Sequence, residues 1–317
     1  MAKDHPLNIV PPPPKSHKMP GLAAEDLTRI VEAAQYLENP RFLMRAANAL
    51  GKPVESLLGA MPNLMQRTVS KSVHKAMETA LKTALLTLGN DGGAVGDWEA
   101  HEKASKTKGK LHTATAAATG FAGGFFGAAG LALELPVTTT VMLRSIAQIA
   151  RDYGADLSDP AVRLECLAVL ALGSAPPKEQ AAAASGSAPG DIASMESSYY
   201  TSRIAIGMAL KSASEYVAGR TAAQIAEAVA KRSAPALVRF LSIIVGRFNT
   251  VVGEKAIAQA VPVAGALAGA ALNAAFTEHF NTVARLHFDL RRLERLHGES
   301  VVAKAYGKSL EAQKNRK

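Results

Sequence analysis

The residue best placed to do chemistry is Glu134, an acid at the end of a long apolar stretch and two positions before Pro136. Buried carboxylates without a partner have raised pKa values and gather at functional sites, so Glu134 is a candidate general acid or base. Thr138, the first of three consecutive threonines, and Arg144 follow on the next predicted helix and are its candidate partners. A structural interpretation stays open, in which Glu134 caps a helix that begins near Pro136 and pairs with an arginine inside the bundle.

A second candidate set is the segment that contains Tyr199, Tyr200 and Arg203. Tyr200 and Arg203 lie three positions apart and therefore share one face of a predicted helix. They are candidate catalytic residues together with Glu134. Packing, with an ion pair from Arg203 to Glu134 or Glu196, would explain them as well.

The case for a metal is weak. Glu278, His279 and His287 could form a metal or acid–base site. Glu294-x-x-His297 has the spacing of one half of a di-iron carboxylate motif, but the second half does not occur in the predicted core. The sequence lacks a His-Glu-x-x-His zinc motif, paired cysteines and a Gly-x-Ser-x-Gly nucleophile elbow. We therefore expect no metal and no cofactor.

Two uncharged stretches must position these side chains. Residues 113–133 carry no ionisable group over 21 positions, about the length of a membrane-spanning helix, but their Ala, Gly and Thr insert poorly into lipid. Residues 256–277 form a second uncharged run. Each run has a stripe of small residues that would let another helix approach closely, and we predict that the two cross there, in a protein core or in lipid. The predicted helix-packing residues are Gly120, Gly123, Gly127, Gly130, Gly265 and Gly269.

Composition and periodicity predict an all-α fold. The chain is 48% hydrophobic but 5% aromatic, which favours Ala-rich helices over a β-sandwich. The clearest amphipathic helix, over 62–88, repeats an apolar side chain every four residues. We predict one multi-helix bundle over 22–312, built around the two Gly/Ala-rich helices, with membrane association as an alternative to a soluble state. We also predict a disordered Pro-rich tail at 1–21, a flexible loop at 174–191 and a disordered tail at 313–317.

The charge of the chain favours an anionic partner. Lys and Arg number 36 against 27 Asp and Glu, which gives a net charge of +9 and a pI near 9.6. Basic residues within 103–110 precede the first apolar run, and others recur from Arg285 to Lys317. Lipid headgroups are one expected partner of these basic residues. The single Cys166 fits a reducing cytosol, and we expect no secretory signal because no basic segment precedes an apolar core at the N-terminus.

Several ordered blocks between about Leu64 and Tyr306 resemble the EcsC protein family. The blocks are GLALELPVTTTVMLRSIAQIARDYG (130–154), RLECLAVLALG (163–173), SYYTSR (198–203), EKAIAQAVPVAGALAGAALNAAFTEHF (254–280) and VARLHFDLRRLERLHG (283–298). The resemblance implies a bacterial and mostly helical protein. The family is named after a protein encoded beside the components of an ABC transporter, and its biochemical role is undefined.

These observations support three functional hypotheses. The leading one is a non-catalytic accessory protein of bacterial transport or envelope physiology, cytoplasmic and peripheral on the inner face of the cytoplasmic membrane. Its expected partner is anionic membrane lipid or a membrane protein complex, and the sequence predicts no oligomeric state. The alternative is a hydrolase acting on a lipid or peptide with Glu134 as acid or base. Nucleic-acid binding through Arg285–Lys317 is weaker, and we expect no specific nucleic acid.

The surroundings of Glu134 distinguish the first two hypotheses. An enzyme needs an open pocket that holds the carboxylate and a second titratable group. A scaffold would instead bury Glu134 in a satisfied ion pair.

Overall fold

The computed structural model describes residues 22–38, 63–88, 127–174, 197–260 and 265–315, which contain nine helices and no strand. The predicted all-α multi-helix fold is therefore confirmed. The predicted tail at 1–21 and nearly all of the loop predicted at 174–191 lie outside the described residues. The helices in chain order are α1 (Ala24–Leu37), α2 (Asn63–Thr87), α3 (Gly127–Asp152), α4 (Pro160–Leu172), α5 (Ser198–Val217), α6 (Ala222–Ala230), α7 (Pro235–Ala260), α8 (Gly265–His297) and α9 (Glu299–Lys314).

Helix α2 follows the predicted apolar stripe. Val69, Val73, Met77 and Leu81, spaced four residues apart, are at most 1% exposed, and the lysines of α2 are exposed. A repeat of four residues keeps one face of a helix apolar over several turns, so α2 forms where its sequence can bury that face.

The starts of three helices carry side-chain caps that satisfy backbone N–H groups. Asp159 accepts from the N–H of Ala161 before α4, and Pro160 occupies the first turn of this helix. Ser197 caps α5, and Thr221 with Gln224 forms a reciprocal capping box at α6. These caps fix the points at which the chain enters the bundle.

The helices pack into one core. Helix α3 packs along α2 and α8, while α7 contacts α2, α4 and α5, and α1 lies against α8 and α9. Phe248 of α7 meets Phe276 and Phe280 of α8 with ring centroids 5.2–6.0 Å apart among the three. Tilted and edge-on aromatic contacts of this kind add about 0.5–1.5 kcal/mol per pair beyond area burial.

The predicted break at Pro136 is wrong, because α3 runs through this proline from Gly127 to Asp152. A proline inside a helix removes one backbone hydrogen bond. Here the flanking turns are held by packing, since Leu135 and Met142 are fully buried. Thr140 donates its hydroxyl to the Pro136 carbonyl at 2.8 Å. Tertiary packing therefore outweighs the local preference for a break.

The predicted helix over 256–277 is also wrong as a single element. Its first residues belong to α7, which runs from Pro235 to Ala260, and α8 begins at Gly265. The uncharged run therefore covers the end of one helix and the start of the next. Apolar periodicity alone does not mark such a boundary, because both sides of it are uncharged.

The glycines predicted to mediate packing stay a prediction. Gly120 and Gly123 lie outside the described residues. Gly127 and Gly130 are in the first turns of α3, and Gly265 and Gly269 are in the first turns of α8, but the structure does not describe the surroundings of these four glycines. The helices α3 and α8 do pack against each other elsewhere along their length.

Candidate functional site

Glu134 lies in a buried ion pair between α3 and α7. The Nζ of Lys255 donates to Oε1 of Glu134 at 2.5 Å, and the two side chains are 0% and 2% exposed respectively. The same ammonium group lies 4.9 Å from the centre of the Phe276 ring on α8, a cation–π contact. Three helices therefore meet at this pair.

Burial and the carboxylate act on Lys255 in opposite directions. Burial lowers the pKa of the ammonium group, and the charge and hydrogen bond of Glu134 raise it, with a net lowering. Removing either charge would leave the other buried without compensation, which typically destabilises a protein by about 3–5 kcal/mol.

Of the two partners that the sequence suggested for Glu134, Arg144 is wrong. Arg144 lies ten positions further along the continuous helix α3, about 15 Å along its axis, and is exposed. Thr138, one turn beyond Glu134, is fully buried in the same helix. Lys255 was missed, because a contact between residues 121 positions apart leaves no local pattern in the sequence.

Arg203 forms a second buried ion pair, with Glu294 of α8. Its Nη1 and Nη2 donate to the two carboxylate oxygens at 2.6 and 2.8 Å, a bidentate geometry. The hydroxyl of Tyr200 donates to the same carboxylate at 3.1 Å, as does Nη1 of Arg291. The suggested pairing of Arg203 with Glu134 is therefore wrong, and Glu196 lies outside the described residues.

A tyrosine, a histidine and a glutamate form a buried relay across α5, α8 and α4. Nε2 of His287 lies 3.0 Å from Oε1 of Glu165, and Nδ1 lies 2.8 Å from the hydroxyl of Tyr199. An ionised carboxylate only accepts, so Nε2–H donates to Glu165 and Nδ1 accepts from the tyrosine. His287 is thereby held as one neutral tautomer.

The electrostatics of the relay favour a neutral histidine and an ionised glutamate. Burial lowers the pKa of His287 and raises the pKa of the Tyr199 hydroxyl. Burial would also raise the pKa of Glu165, but the charge of Arg291 and the bond from His287 outweigh it and the net pKa is lowered. The tyrosine stays protonated at neutral pH and is a hydrogen-bond donor.

The relay connects helices and has no exposed reactive atom. The side chains of His287 and Glu165 are 1% and 3% exposed, and Tyr199 is 2% exposed. An acid–base group must reach its substrate within hydrogen-bonding distance. The geometry resembles that of catalytic relays, but its burial suits a structural role. Glu165 was missed, although an acid within the apolar run RLECLAVLALG is the signal that could have found it.

A further polar cluster lies where the end of α1 meets the start of α5. Glu38 accepts from the Ser197 hydroxyl at 2.5 Å, from the Ser198 N–H at 2.8 Å and from the Tyr306 hydroxyl of α9 at 3.1 Å. A carboxylate at a helix N-terminus satisfies free backbone donors and the helix dipole. Glu38 has no local signature in the sequence, since its partners are more than 150 positions away.

The three weak metal candidates do not converge. Glu278 is exposed and pairs with Arg285 at 3.0 Å. His279 uses both ring nitrogens, with Nε2 donating to the Gly173 carbonyl at 2.7 Å and Nδ1 bonded to a tyrosine hydroxyl. His287 is engaged in the relay. No group of three or more potential metal ligands occurs within the described ranges.

Two arginines of the basic C-terminal segment are buried, whereas its lysines on α9 are exposed. Arg291 pairs with Glu165 and Glu294, and Arg292 pairs with Asp289 at 2.9 Å. Arg291 and Arg292 are 8% and 9% exposed. Phosphate binding needs exposed cations, so these two arginines are not available for nucleic acid.

Together, the fold and these clusters define an all-α protein whose interior charges are joined in ion pairs and hydrogen bonds between helices. The model of the EcsC protein family matches residues 25–293, from the start of α1 to near the end of α8. This chain belongs to the EcsC protein family. Comparison with curated proteins and with solved structures returned no match.

Proposed function

We propose that this EcsC-family protein is a non-catalytic accessory protein of bacterial transport or envelope physiology, attached peripherally to the inner face of the cytoplasmic membrane. The observation that carries the proposal is the state of Glu134. Its carboxylate is 2% exposed and bonded to Lys255 at 2.5 Å. This is the buried, satisfied ion pair that distinguishes a scaffold from an enzyme with an open acid–base site.

The other charged candidates support the same conclusion. Arg203 and Glu294 neutralise each other at 7% and 3% side-chain exposure. Catalytic groups gain their reactivity from unbalanced environments, whereas these charges are balanced by partners on neighbouring helices. Removing one member of such a pair leaves a buried charge uncompensated, so these pairs suit a structural role.

Peripheral attachment agrees with the distribution of apolar residues. Among the described residues one segment, Pro235–Ile257 of α7, is long and apolar enough to cross a membrane, but 56% of it is buried inside the protein. By contrast, Leu133 and Val137, one turn apart on α3, are 78% and 49% exposed. An exposed apolar edge on a protein of net charge +9 suits shallow contact with anionic lipid, with a membrane protein complex as the other expected partner.

Flotation with liposomes of anionic and of neutral phospholipid tests the attachment. The proposal expects the purified chain to float with anionic vesicles and to be released by high salt, because the attraction is partly electrostatic. Leu133→Asp should reduce the bound fraction. Leu64→Asp is the matched control, since Leu64 at the start of α2 is also 78% exposed. Absence of binding to anionic vesicles would contradict direct lipid attachment.

A further inference from the structure

A cleft of about 180 Å³ opens between α2, α6 and α7 and shares no residue with the buried ion pairs. This volume is below the roughly 300–1,000 Å³ of pockets for drug-sized ligands. The cleft therefore suits a small metabolite. Its apolar lining consists of Met77, Val229, Val238, Leu241 and Val245, and its polar lining consists of His74, Glu78, Arg232 and Ser242.

Arg232 lines the cleft and has an unusual backbone conformation. Its φ is 52°, and it follows the end of α6, where the N–H of Ser233 bonds to the Ala228 carbonyl and the N–H of Arg232 bonds to the Val229 carbonyl. These two bonds define a helix-ending motif whose left-handed position usually holds glycine. The other left-handed positions in the described chain are all glycines, at Gly154, Gly219 and Gly298.

The left-handed backbone at this position favours glycine over residues with a side chain. The presence of arginine therefore suggests that its guanidinium group has a role here. Residues held in such conformations cluster at ligand-binding sites. A guanidinium presents a planar fork of donors that matches a carboxylate in two parallel hydrogen bonds. Arg232 therefore fits the carboxylate end of a ligand.

The other three polar side chains are acceptors. His74 donates Nδ1–H to the Ser70 carbonyl at 2.8 Å, which leaves Nε2 as the acceptor of its neutral form. Ser242 donates its hydroxyl proton to the Val238 carbonyl at 2.7 Å, which leaves the oxygen lone pairs. Glu78 adds a carboxylate. Three acceptors match the three N–H donors of a primary ammonium group, with Glu78 supplying the opposite charge.

We propose that this cleft binds an aliphatic α-amino acid as its zwitterion. The carboxylate pairs with Arg232, the ammonium group is received by Glu78, His74 and Ser242, and the aliphatic side chain lies on the apolar lining. One cation, one anion and an apolar floor are the complement of such a molecule. The site is independent of membrane attachment and adds a ligand to the proposed accessory role.

Calorimetric titration of the full chain with three molecules of similar shape tests the proposal. L-leucine carries both charged groups, 4-methylpentanoate lacks the ammonium group and 3-methylbutylamine lacks the carboxylate. The expected result is saturable binding of leucine, with each analogue at least about tenfold weaker because one partner in the cleft is left unpaired. Absence of saturable leucine binding at millimolar concentration, or equal binding of either analogue, would overturn the proposal.

Two variants separate binding from folding. Arg232→Gly relieves the left-handed backbone, so Tm should stay the same or rise while leucine binding falls at least about tenfold. Glu78→Gln should weaken leucine and leave 4-methylpentanoate unchanged. The matched controls are Arg239→Gln and Glu32→Gln, which change exposed residues outside the cleft and should bind leucine normally. Unchanged leucine binding by Arg232→Gly, or an equal loss of both ligands in Glu78→Gln, would overturn the assignment.

Discussion

At the scale of single residues, the protein joins its interior charges across long sequence separations. Glu134 with Lys255, Arg203 with Glu294 and His287 with Glu165 each connect two helices. A buried ion pair gains little over an apolar pair of the same shape, but losing one member of it is severe. Removing one member should therefore cost much more stability than removing both, and this can be measured.

Lys255→Met should destabilise the fold by about 3–5 kcal/mol, because Glu134 would remain buried without its counter-charge. The double variant with Glu134→Leu should recover much of the loss, since no charge is then left in the core. Urea unfolding followed by circular dichroism measures both. The control is Lys231→Met, which breaks the Lys231–Glu227 pair at 68% and 63% side-chain exposure and should change stability by less than about 1 kcal/mol. Equal effects of Lys255→Met and Lys231→Met would mean that the buried pair does not stabilise the fold.

Acid should destabilise the protein in two stages. Burial lowers the pKa of His287 from its ordinary 6.5. As the pH falls through 6.5, His287 therefore binds a proton in the unfolded chain but stays neutral in the folded chain. The stability present above pH 6.5 is therefore lost progressively. Glu165 and Glu294 have pKa values lowered from 4.5 by their arginine partners despite burial, so their contribution is lost as the pH falls below 4.5.

Melting temperatures between pH 4 and pH 8 test this assignment. His287→Gln should flatten the decline just below pH 6.5, because the titrating group is absent, while the steeper decline below pH 4.5 remains. A wild-type decline below pH 6.5 that persists in His287→Gln would assign the effect to another group.

At the scale of elements, local sequence patterns predicted helices well and their partners poorly. The period-four stripe of α2 is a local pattern, and its prediction is confirmed. The continuity of α3 through Pro136 depends on burial of the turns on either side, which the sequence does not reveal. The partners of Glu134 and Arg203 depend on how distant helices cross. A pattern within one helix contains no information about that crossing.

Gly173, at the end of α4, tests how closely α4 approaches α8. A β-carbon there would lie 2.6 Å from Cε1 of Phe280 and 3.2 Å from Cγ2 of Val283, both fully buried. Because neither neighbour has room to move, Gly173→Ala should destabilise the protein by about 1–3 kcal/mol through overpacking. Phe280→Leu in the same chain should offset part of the loss, and chemical unfolding measures both.

The control for this prediction is Gly219→Ala. Gly219 has a φ of 78° and open space around its added β-carbon, so any loss there comes from the backbone and not from contact. Phe280→Leu should therefore not compensate Gly219→Ala. Full tolerance of Gly173→Ala would mean that α4 and α8 are further apart than described.

At the scale of the whole molecule, the chain has an all-α fold and belongs to the EcsC protein family, and its attachment to the membrane is our proposal. The EcsC match over residues 25–293 includes the ion pair of Glu134 and Lys255 and the relay of Tyr199, His287 and Glu165. Composition predicted the helical class, since an Ala-rich chain with few aromatics builds close-packed helices. It did not predict that most cations near the C-terminal end of α8 turn inward, because inward and outward arginines look alike in a sequence.

The buried charges and the composition of the apolar helices argue against a membrane-spanning arrangement. Glu134 and Lys255 lie on the helices that carry much of the apolar sequence, and a charged pair at mid-bilayer depth would be costly. The Ala, Gly and Thr content before Glu134 adds little insertion energy. We therefore expect peripheral or shallow association.

Fractionation of bacterial cells that express the full chain is the most direct test of this central claim. We predict that the protein sediments with membranes after lysis in low salt and is released by a high-salt or carbonate wash, as a peripheral protein would be. Full solubility without any wash would contradict membrane attachment. Resistance to carbonate would contradict the peripheral mode and would mean that the apolar helices insert into the bilayer.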